Sequence, residues 1–264
     1  MLVFPQLSTG TVALYPLQRR RLRRTVTNQL AGGQAVRYSD PDFSTSSWEL
    51  EITGANLTEW TAIEQLFMST AGRAKTFTFL EPAGNLLLQS EALAAPEWNP
   101  SALISLMDGI EDPFGGISAA RVLNAAPTSG DLSQPIAVPG NFQYAFSVWA
   151  RAGSTSSVGL FASTDGGEVE RSFTLTSEWK RVVLPVTLGL ATESVTFGAR
   201  LVAGDSVELF GMQVDAQPGP GGYQKTDAKG GVHSNARFDD DVLKVSAQGP
   251  DVFDAVIRVV SKGN

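Results

Sequence analysis

Apolar and polar residues alternate with period two over much of this chain, the pattern of strands that bury one face. Trp48-Glu49-Leu50-Glu51-Ile52 is the clearest stretch, and Val12–Leu17, Ala35–Tyr38 and Lys75–Leu80 read the same way. Ala31-Gly32-Gly33 supplies a turn between the first two of these. A helical period stands out at one place, where Trp60, Ile63, Leu66 and Phe67 form one stripe and predict a helix over Glu59–Thr70. Thr58 is the expected N-cap, Glu59 is an acid in the first turn, and Gly72 is a natural left-handed terminator. Residues 87–226 read as all-β. Strands are expected at Phe142–Ala150, Ser157–Ser163, Glu170–Leu175, Lys180–Val186, Val195–Val202 and Ser206–Val214, each bounded by Gly, Ser, Asp or Pro. Asn85–Trp98 reads as an extended lead-in strand. The last 38 residues add Ala236–Phe238, Val242–Ser246 and Val252–Val260, with Gln248-Gly249-Pro250 as a turn. Many short strands with frequent turn residues predict a mainly β protein of sandwich or jelly-roll type, with one helix.

Charge divides the same sequence into blocks. The net charge is −7, from 20 basic and 27 acidic side chains. Residues 1–86 carry 8 basic and 7 acidic groups, residues 87–226 carry 7 and 14, and residues 227–264 carry 5 and 6. The acidic block lies between two Pro-Gly turn segments, Glu81-Pro82-Ala83-Gly84-Asn85 and Gln217-Pro218-Gly219-Pro220-Gly221-Gly222. Thirty-eight residues with three short strands cannot bury a core alone, so they are expected to complete the sheet begun by residues 1–86. The expected organisation is a discontinuous β-sandwich or barrel domain, 1–86 with 227–264, interrupted by an inserted jelly roll at 87–226.

Composition then narrows the chemistry. No cysteine is present, which excludes a disulfide scaffold, a thiolate nucleophile and a Cys-ligated zinc or iron–sulfur centre. One histidine, His233, excludes a multi-His metal centre and leaves a Ser-His-Asp triad a single candidate base. No G-x-S-x-G elbow and no phosphate-binding loop of the G-x-x-x-x-G-K-[ST] kind occurs. No apolar run reaches the length of a membrane helix, and the N-terminus lacks the basic-then-apolar order of a signal peptide. The acidic balance speaks against general nucleic-acid binding. No cofactor is expected.

A few clusters invite specific readings. Arg19, Arg20, Arg21, Arg23 and Arg24 form the densest charge run. They suit a subunit contact through carboxylate pairing, with a solvated strand and a DNA-phosphate contact as the alternatives. Asp239-Asp240-Asp241 reads as a polar turn in preference to a calcium site, because adjacent strand residues point to opposite faces. Asp108, Glu111 and Asp112 beside Gly115-Gly116 form a loop that could converge on a structural calcium ion. Trp98, Trp149, Trp179, Phe114 and Tyr144 are candidates for stacking on a sugar ring; Trp149 and Trp179 are expected in the core, and Tyr223 exposed.

Arg37-Tyr38-Ser39-Asp40-Pro41, Trp48-Glu49-Leu50, a helix ending Gly72-Arg73, and Thr76-Phe77-Thr78-Phe79-Leu80-Glu81-Pro82 together resemble the ring-forming domain of phage distal tail proteins. They are also similar to the related tail proteins of gene transfer agents. Asn85-Leu86-Leu87-Leu88-Gln89-Ser90-Glu91 with Trp98, Tyr144 to Gly153, Trp179-Lys180-Arg181-Val182, Phe210 to Ala216 and Tyr223-Gln224-Lys225-Thr226 resemble the carbohydrate-binding-module-like jelly rolls of phage structural proteins. The resemblance implies a structural virion protein and not an enzyme. It would form a homo-oligomeric ring, a hexamer, joining the tail tube protein to the tail hub or tip, with a peripheral domain touching host-surface glycans. Its place would be the virion's tail tip or baseplate, after synthesis in the host cytoplasm. A carbohydrate-binding adhesin is the alternative function, and a glycan hydrolase the third.

Overall fold

The alternating segments pair into three sheets, with one α-helix among the described residues, in a computed structural model that describes residues 1–153 and 156–262. Positions 263–264 of the expected C-terminal segment lie outside them. The chain is mainly β and divides into two compact units: Met1–Ser8, Ala13–Phe79 and His233–Asn264 form one, Thr9–Val12 and Leu80–Val232 the other.

In the first unit, β1 (Leu14–Gln29) and β2 (Ala35–Ala55) form a long antiparallel hairpin. β2 pairs along Thr45–Ala55 with β16 (Val252–Lys262), and the sheet continues through β14 (Val232–Phe238) to β3 (Phe77–Leu80). The short β15 (Ser246–Gly249) pairs with the start of β16. Trp48, Leu50 and Ile52 are buried while Glu49 and Glu51 are half-buried, as the alternation requires. A cluster of rings fills the core: Phe4 meets Phe79 edge-on at 5.9 Å, and Phe238 lies 4.9 Å from Phe77 and 5.1 Å from Phe67 of the helix.

The helix, α1 (Leu57–Thr70), buries Trp60, Ile63 and Leu66. Its cap is Asn56 and not Thr58, because Asn56 and Glu59 satisfy each other's amides. Glu59 N–H donates to Asn56 Oδ1 at 3.0 Å, and Asn56 N–H donates to Glu59 Oε2 at 2.7 Å. Burial alone would raise the Glu59 carboxyl, but amide hydrogen bonds from Ser8 and Asn56 outweigh it and hold the group below its ordinary range. The left-handed C-cap is Ala71 at φ 51°, followed by Gly72 at φ 63°, where a Cβ would lie 2.6 Å from Asp241 Oδ1.

Three further expectations are corrected. β1 runs to Gln29, far past Leu17, because both faces of the hairpin arm are open and nothing imposes alternation on it. Val242–Val245 is not a strand; only Ser246–Gly249 pairs, and the turn falls at Pro250-Asp251. Asn85–Trp98 is a run of bends and turns, since Leu86, Leu87, Leu93 and Trp98 are all buried and successive residues must point inward.

The second unit is a β-sandwich of jelly-roll type. One sheet orders β10 (Gly167–Leu175), β9 (Ser156–Thr164), β12 (Val195–Leu201), β7 (Gly130–Ile136) and β4 (Asn99–Pro100). The other orders β11 (Lys180–Thr187), β8 (Gln143–Arg151), β13 (Ser206–Asp215), β6 (Ala119–Asn124) and β5 (Ile104–Ile110). Every pairing within both sheets is antiparallel. Between the sheets Phe197 meets Tyr144 at 5.6 Å and Phe146 at 5.8 Å. That contact fixes which way each residue of β8 points.

Candidate functional site

Because Tyr144 and Phe146 face inward, Ala145, Ser147, Trp149 and Arg151 must lie on the outer face of their sheet. The registers extend this face. Arg181 stands opposite Trp149, Glu208 opposite Arg151, Phe210 opposite Trp149, and Arg121 opposite Glu208. Trp149 is therefore not a core residue. It is half-buried on the outer face, with Phe114, Phe210 and Tyr223 edge-on about it at 5.5, 6.1 and 5.3 Å. The Arg181 guanidinium lies 4.6 Å over the same indole.

Local backbone builds this cluster. β13 shifts register between Phe210 and Gln213, and Gly211 within that bulge has φ 66°. A Cβ on Gly211 would come within 2.9 Å of Tyr223 Cε2, so glycine is what lets Tyr223 close on Trp149. Tyr223 is half-buried where exposure was expected: its hydroxyl donates to Glu91 Oε1 and accepts from the Ser90 hydroxyl, both at 3.0 Å. Phe114 reaches the cluster from a loop folded around one carboxylate. Asp112 accepts amide hydrogens from Phe114 at 2.9 Å, Gly116 at 3.1 Å and Ser118 at 3.2 Å. Burial would raise the Asp112 carboxyl, and the three amides bring it below its ordinary range. Phe114 remains 67% exposed.

Beside the rings lies a polar cleft of about 730 Å³, lined by Arg121, Arg151, Glu208, Asp205, Ser206 and Ser177. Glu208 accepts from Arg121 Nη2 at 2.6 Å and from Arg151 Nε at 2.6 Å. Burial pushes its pKa up, but the two guanidiniums hold it below the usual carboxylate range. Arg151 also stacks 4.6 Å over Trp179, which is half-buried at the sheet edge.

The segment Gln217–Thr226 crosses the same face on a buried polar network. Asp215 accepts from Gln213 Nε2 at 3.0 Å on each oxygen, and Arg181 Nη1 donates to the Gly221 carbonyl at 2.8 Å. Burial raises Asp215 to about 6 against the pull of Gln213, Gly221 and Arg181. Glycoside cleavage asks for one protonated and one ionised carboxyl flanking a bond. Here the raised carboxyl is shut beneath Gly221, and the one that lines the cleft, the largely buried Glu208, is held ionised by its two guanidiniums.

The remaining candidates fall elsewhere. Trp98 is core, its Nε1 donating to the Gln89 carbonyl at 3.1 Å, and Tyr144 is core with its hydroxyl on the Pro139 carbonyl at 2.6 Å. Asp108 is exposed on β5, and the Glu111 carbonyl accepts from Arg151 at 3.4 Å. Among the described residues no group of three or more metal-ligating side chains converges. Asp240 caps the Val242 amide and Asp241 pairs with Arg73 at 3.7 Å. His233 packs 4.6 Å from Trp48. Arg19, Arg20, Arg21, Arg23 and Arg24 lie on β1, all exposed, with Arg19 5.6 Å over Trp48 and Arg24 3.7 Å from Asp40. Arg151, Arg121 and Glu208 escaped notice because they are scattered over 88 positions of chain. A local signal was present in the spacings Trp149-x-Arg151 and Glu208-x-Phe210, which place ring and charge on one strand face.

No protein-family model and no curated protein matches the chain. Solved structures resemble about half of it. One is TmCBM61 in complex with β-1,4-galactotriose, at 18% identity and a TM-score of 0.39, covering 49% of this chain and 97% of that one. A second is the CBM22-1 xylan-binding domain of Paenibacillus barcinonensis Xyn10C, at 10% identity and 0.43, covering 53% and 99%. A third is the enzymatically active domain of bacteriophage CBA120 tailspike protein 4, at 11% identity and 0.40, covering 52% and 22%. The ligands named for those proteins belong to those proteins.

Proposed function

We propose that the chain is a carbohydrate-binding protein, and that the outer face of β11-β8-β13-β6-β5 is where it holds a glycan without cleaving it. One observation carries this reading: an aromatic cluster, open at Phe114, stands two strand positions from the Arg121–Glu208–Arg151 wall of the cleft. Residues at i and i+2 on a strand are about 7 Å apart, so a ring stacked on the aromatics would turn its hydroxyls toward guanidinium donors and a carboxylate acceptor. Glu208 is kept ionised and serves as an acceptor. Glycan-array screening of the full chain, followed by calorimetry on the best binder, tests the proposal. Saturable binding that is lost in Phe114→Ala and weakened in Arg151→Lys is expected. A chain that binds no glycan, or that releases reducing sugar from one, overturns it.

A second reading, assembly into a virion tail ring with tube and tip partners, is favoured by the hairpin arm of the first unit. β1 is a sheet edge along all 16 residues, and among the described residues β2 35–44 pairs with β1 alone. A long open edge invites strand addition, and a bare two-stranded ribbon is marginal by itself. Arg19, Arg20, Arg21, Arg23 and Arg24 would then form carboxylate pairs with a neighbouring copy. Mass photometry of the full chain over a concentration series checks this: a ring-sized species that dissolves in Arg20→Glu/Arg23→Glu supports it, and a monomer at every concentration sinks it.

A further inference from the structure

The net charge of −7 hides a basic arm. Residues 14–40, which hold β1, the turn and the start of β2, carry six arginines and one acid, Asp40. Register sorts these charges onto two faces, because residues opposite each other across a ladder share a side and successive residues alternate. Arg21 stands opposite Ser46, Arg23 opposite Ser44, Thr25 opposite Ser39 and Thr27 opposite Arg37. The register shift between Arg23 and Arg24 takes up three extra residues of β2, 41–43, and β1 runs on through it. One face is therefore made of guanidiniums and hydroxyls, and Arg19 continues it over the Trp48 ring. The other face is different. Leu22 and Val26 are exposed on it, Tyr38 lies opposite Val26, and Asp40 is engaged by Arg24 at 3.7 Å.

Arg21, Arg23 and Arg37 are exposed, and none has a carboxylate across the ladder from it. Arg21 and Arg23 stand about 7 Å apart along the strand, the scale on which phosphates succeed one another in a nucleic-acid strand. A guanidinium forks two N–H groups onto a phosphate, and Ser and Thr hydroxyls donate to phosphate oxygens beside it. Single strands are held by rings that stack on their bases, and Tyr38, the ring nearest the hairpin tip, lies on the other face. A duplex keeps its bases stacked and its phosphates outward, and a two-stranded ribbon is narrow enough to follow its major groove.

We propose that this face of the β1–β2 ribbon binds the phosphate backbone of duplex DNA without regard to sequence. Arg21, Arg23 and Arg37 make the ion pairs, and Ser39, Ser44 and Ser46 donate between them. The arm belongs to the first unit, so the proposal stands or falls separately from glycan binding by the second. Carboxylates of a neighbouring copy are the competing ligand for the same arginines.

The probe is a fluorescein-labelled DNA duplex of about 20 base pairs, titrated with the full chain over a series of salt concentrations. Saturable anisotropy is expected at low salt, with equal affinity for a second duplex of unrelated sequence. Three phosphate contacts give a slope of about −2.7 in log affinity against log salt. Arg21→Ser/Arg23→Ser removes two of them, which brings the slope to about −0.9 and weakens binding about tenfold or more at about 50 mM salt. Arg20→Ser/Arg24→Ser takes the same charge from the other face and leaves the slope in place. All four arginines are exposed, so both variants keep the native fold. Equal losses in the two variants, no saturation up to about 100 μM chain, or displacement of the duplex by poly-L-glutamate at matched charge overturns the proposal.

Discussion

The two outer faces of the sandwich use the same residue types to opposite ends. On the face of β10-β9-β12-β7-β4, one guanidinium serves three carboxylates. Arg200 donates to Asp131 at 2.8 and 3.0 Å, to Glu168 at 2.8 Å and to Glu170, while stacking 4.6 Å over a buried Phe161. Those acids raise the Arg200 pKa further, with Asp131 the largest cause, and Glu168 is lowered in turn by Arg200. Its donors are engaged and its ring is covered. On the opposite face two guanidiniums share Glu208, a third caps Trp149, and Phe114 remains open beside a cleft. Donor-to-acceptor ratio separates a face that closes on itself from one that still has contacts to offer.

The largest expected effect would break the closed face. Arg200→Met removes three partly exposed ion pairs, each at about 1 kcal/mol after solvent screening, and is expected to cost about 3 kcal/mol at pH 7. Glu168 is depressed in the folded protein, so that contribution is present above its unfolded pKa and is lost as pH falls through the folded one. The gap between native and variant chains in urea denaturation should narrow from pH 7 to pH 4; an equal gap at both would refute the network's role.

Next in size is Asp215 beneath the crossing segment of the open face. Its folded pKa of about 6 lies above the ordinary 3.8, so between those values the folded chain holds a proton that the unfolded chain has released. Stability therefore falls as pH rises across that window, by on the order of 2–3 kcal/mol. Asp215→Asn should lack this component, and melting curves from pH 4 to pH 7 with the same slope in both chains would contradict it.

Phe114→Ala sharpens the comparison in the other direction. It should weaken glycan binding about tenfold while moving stability by less than about 0.5 kcal/mol, since the ring is largely exposed. Calorimetry and melting run in parallel decide it, and a stability loss equal to the affinity loss would make Phe114 a packing residue only. The smallest effect belongs to Thr196→Ala, a half-buried outward position on the closed face opposite Ser163. Less than about 0.5 kcal/mol and no change in glycan affinity are expected; lost affinity would move the binding site to that face.

The difference between faces explains what could be read in advance. Strands with one buried side announced themselves: Trp48-Glu49-Leu50-Glu51-Ile52 and Lys180–Val186 alternate because core and solvent alternate. β1 and β7 did not. β1 is open on both faces, and Gly130–Ile136 buries Gly130 and Gln134 on its inward side, where an apolar alternation would be looked for. β8 is legible as a strand, but Tyr144-Ala145-Phe146-Ser147-Val148-Trp149-Ala150 is small or apolar on both sides, so the sequence leaves its parity ambiguous and the core expectation for Trp149 fails. The helix is legible from its stripe, while the sequence points to Thr58 as cap because the Asn56–Glu59 reciprocal bond exists only once both side chains are placed.

Period, turn residues and the acidic middle block are local properties, and from them the sequence by itself determined a mainly β chain with one helix and a cysteine-free, single-histidine chemistry. Which side of each strand meets the other sheet is not local. Only the tertiary structure decided it, through one contact, Phe197 against Tyr144 and Phe146. That contact turns Trp149 and Arg151 outward, and register then brings Arg121, Glu208 and Phe210 beside them from strands far apart in sequence. The physical reason is the pleat: a strand's period is two, so reversing its inward side exchanges every core residue for a surface one.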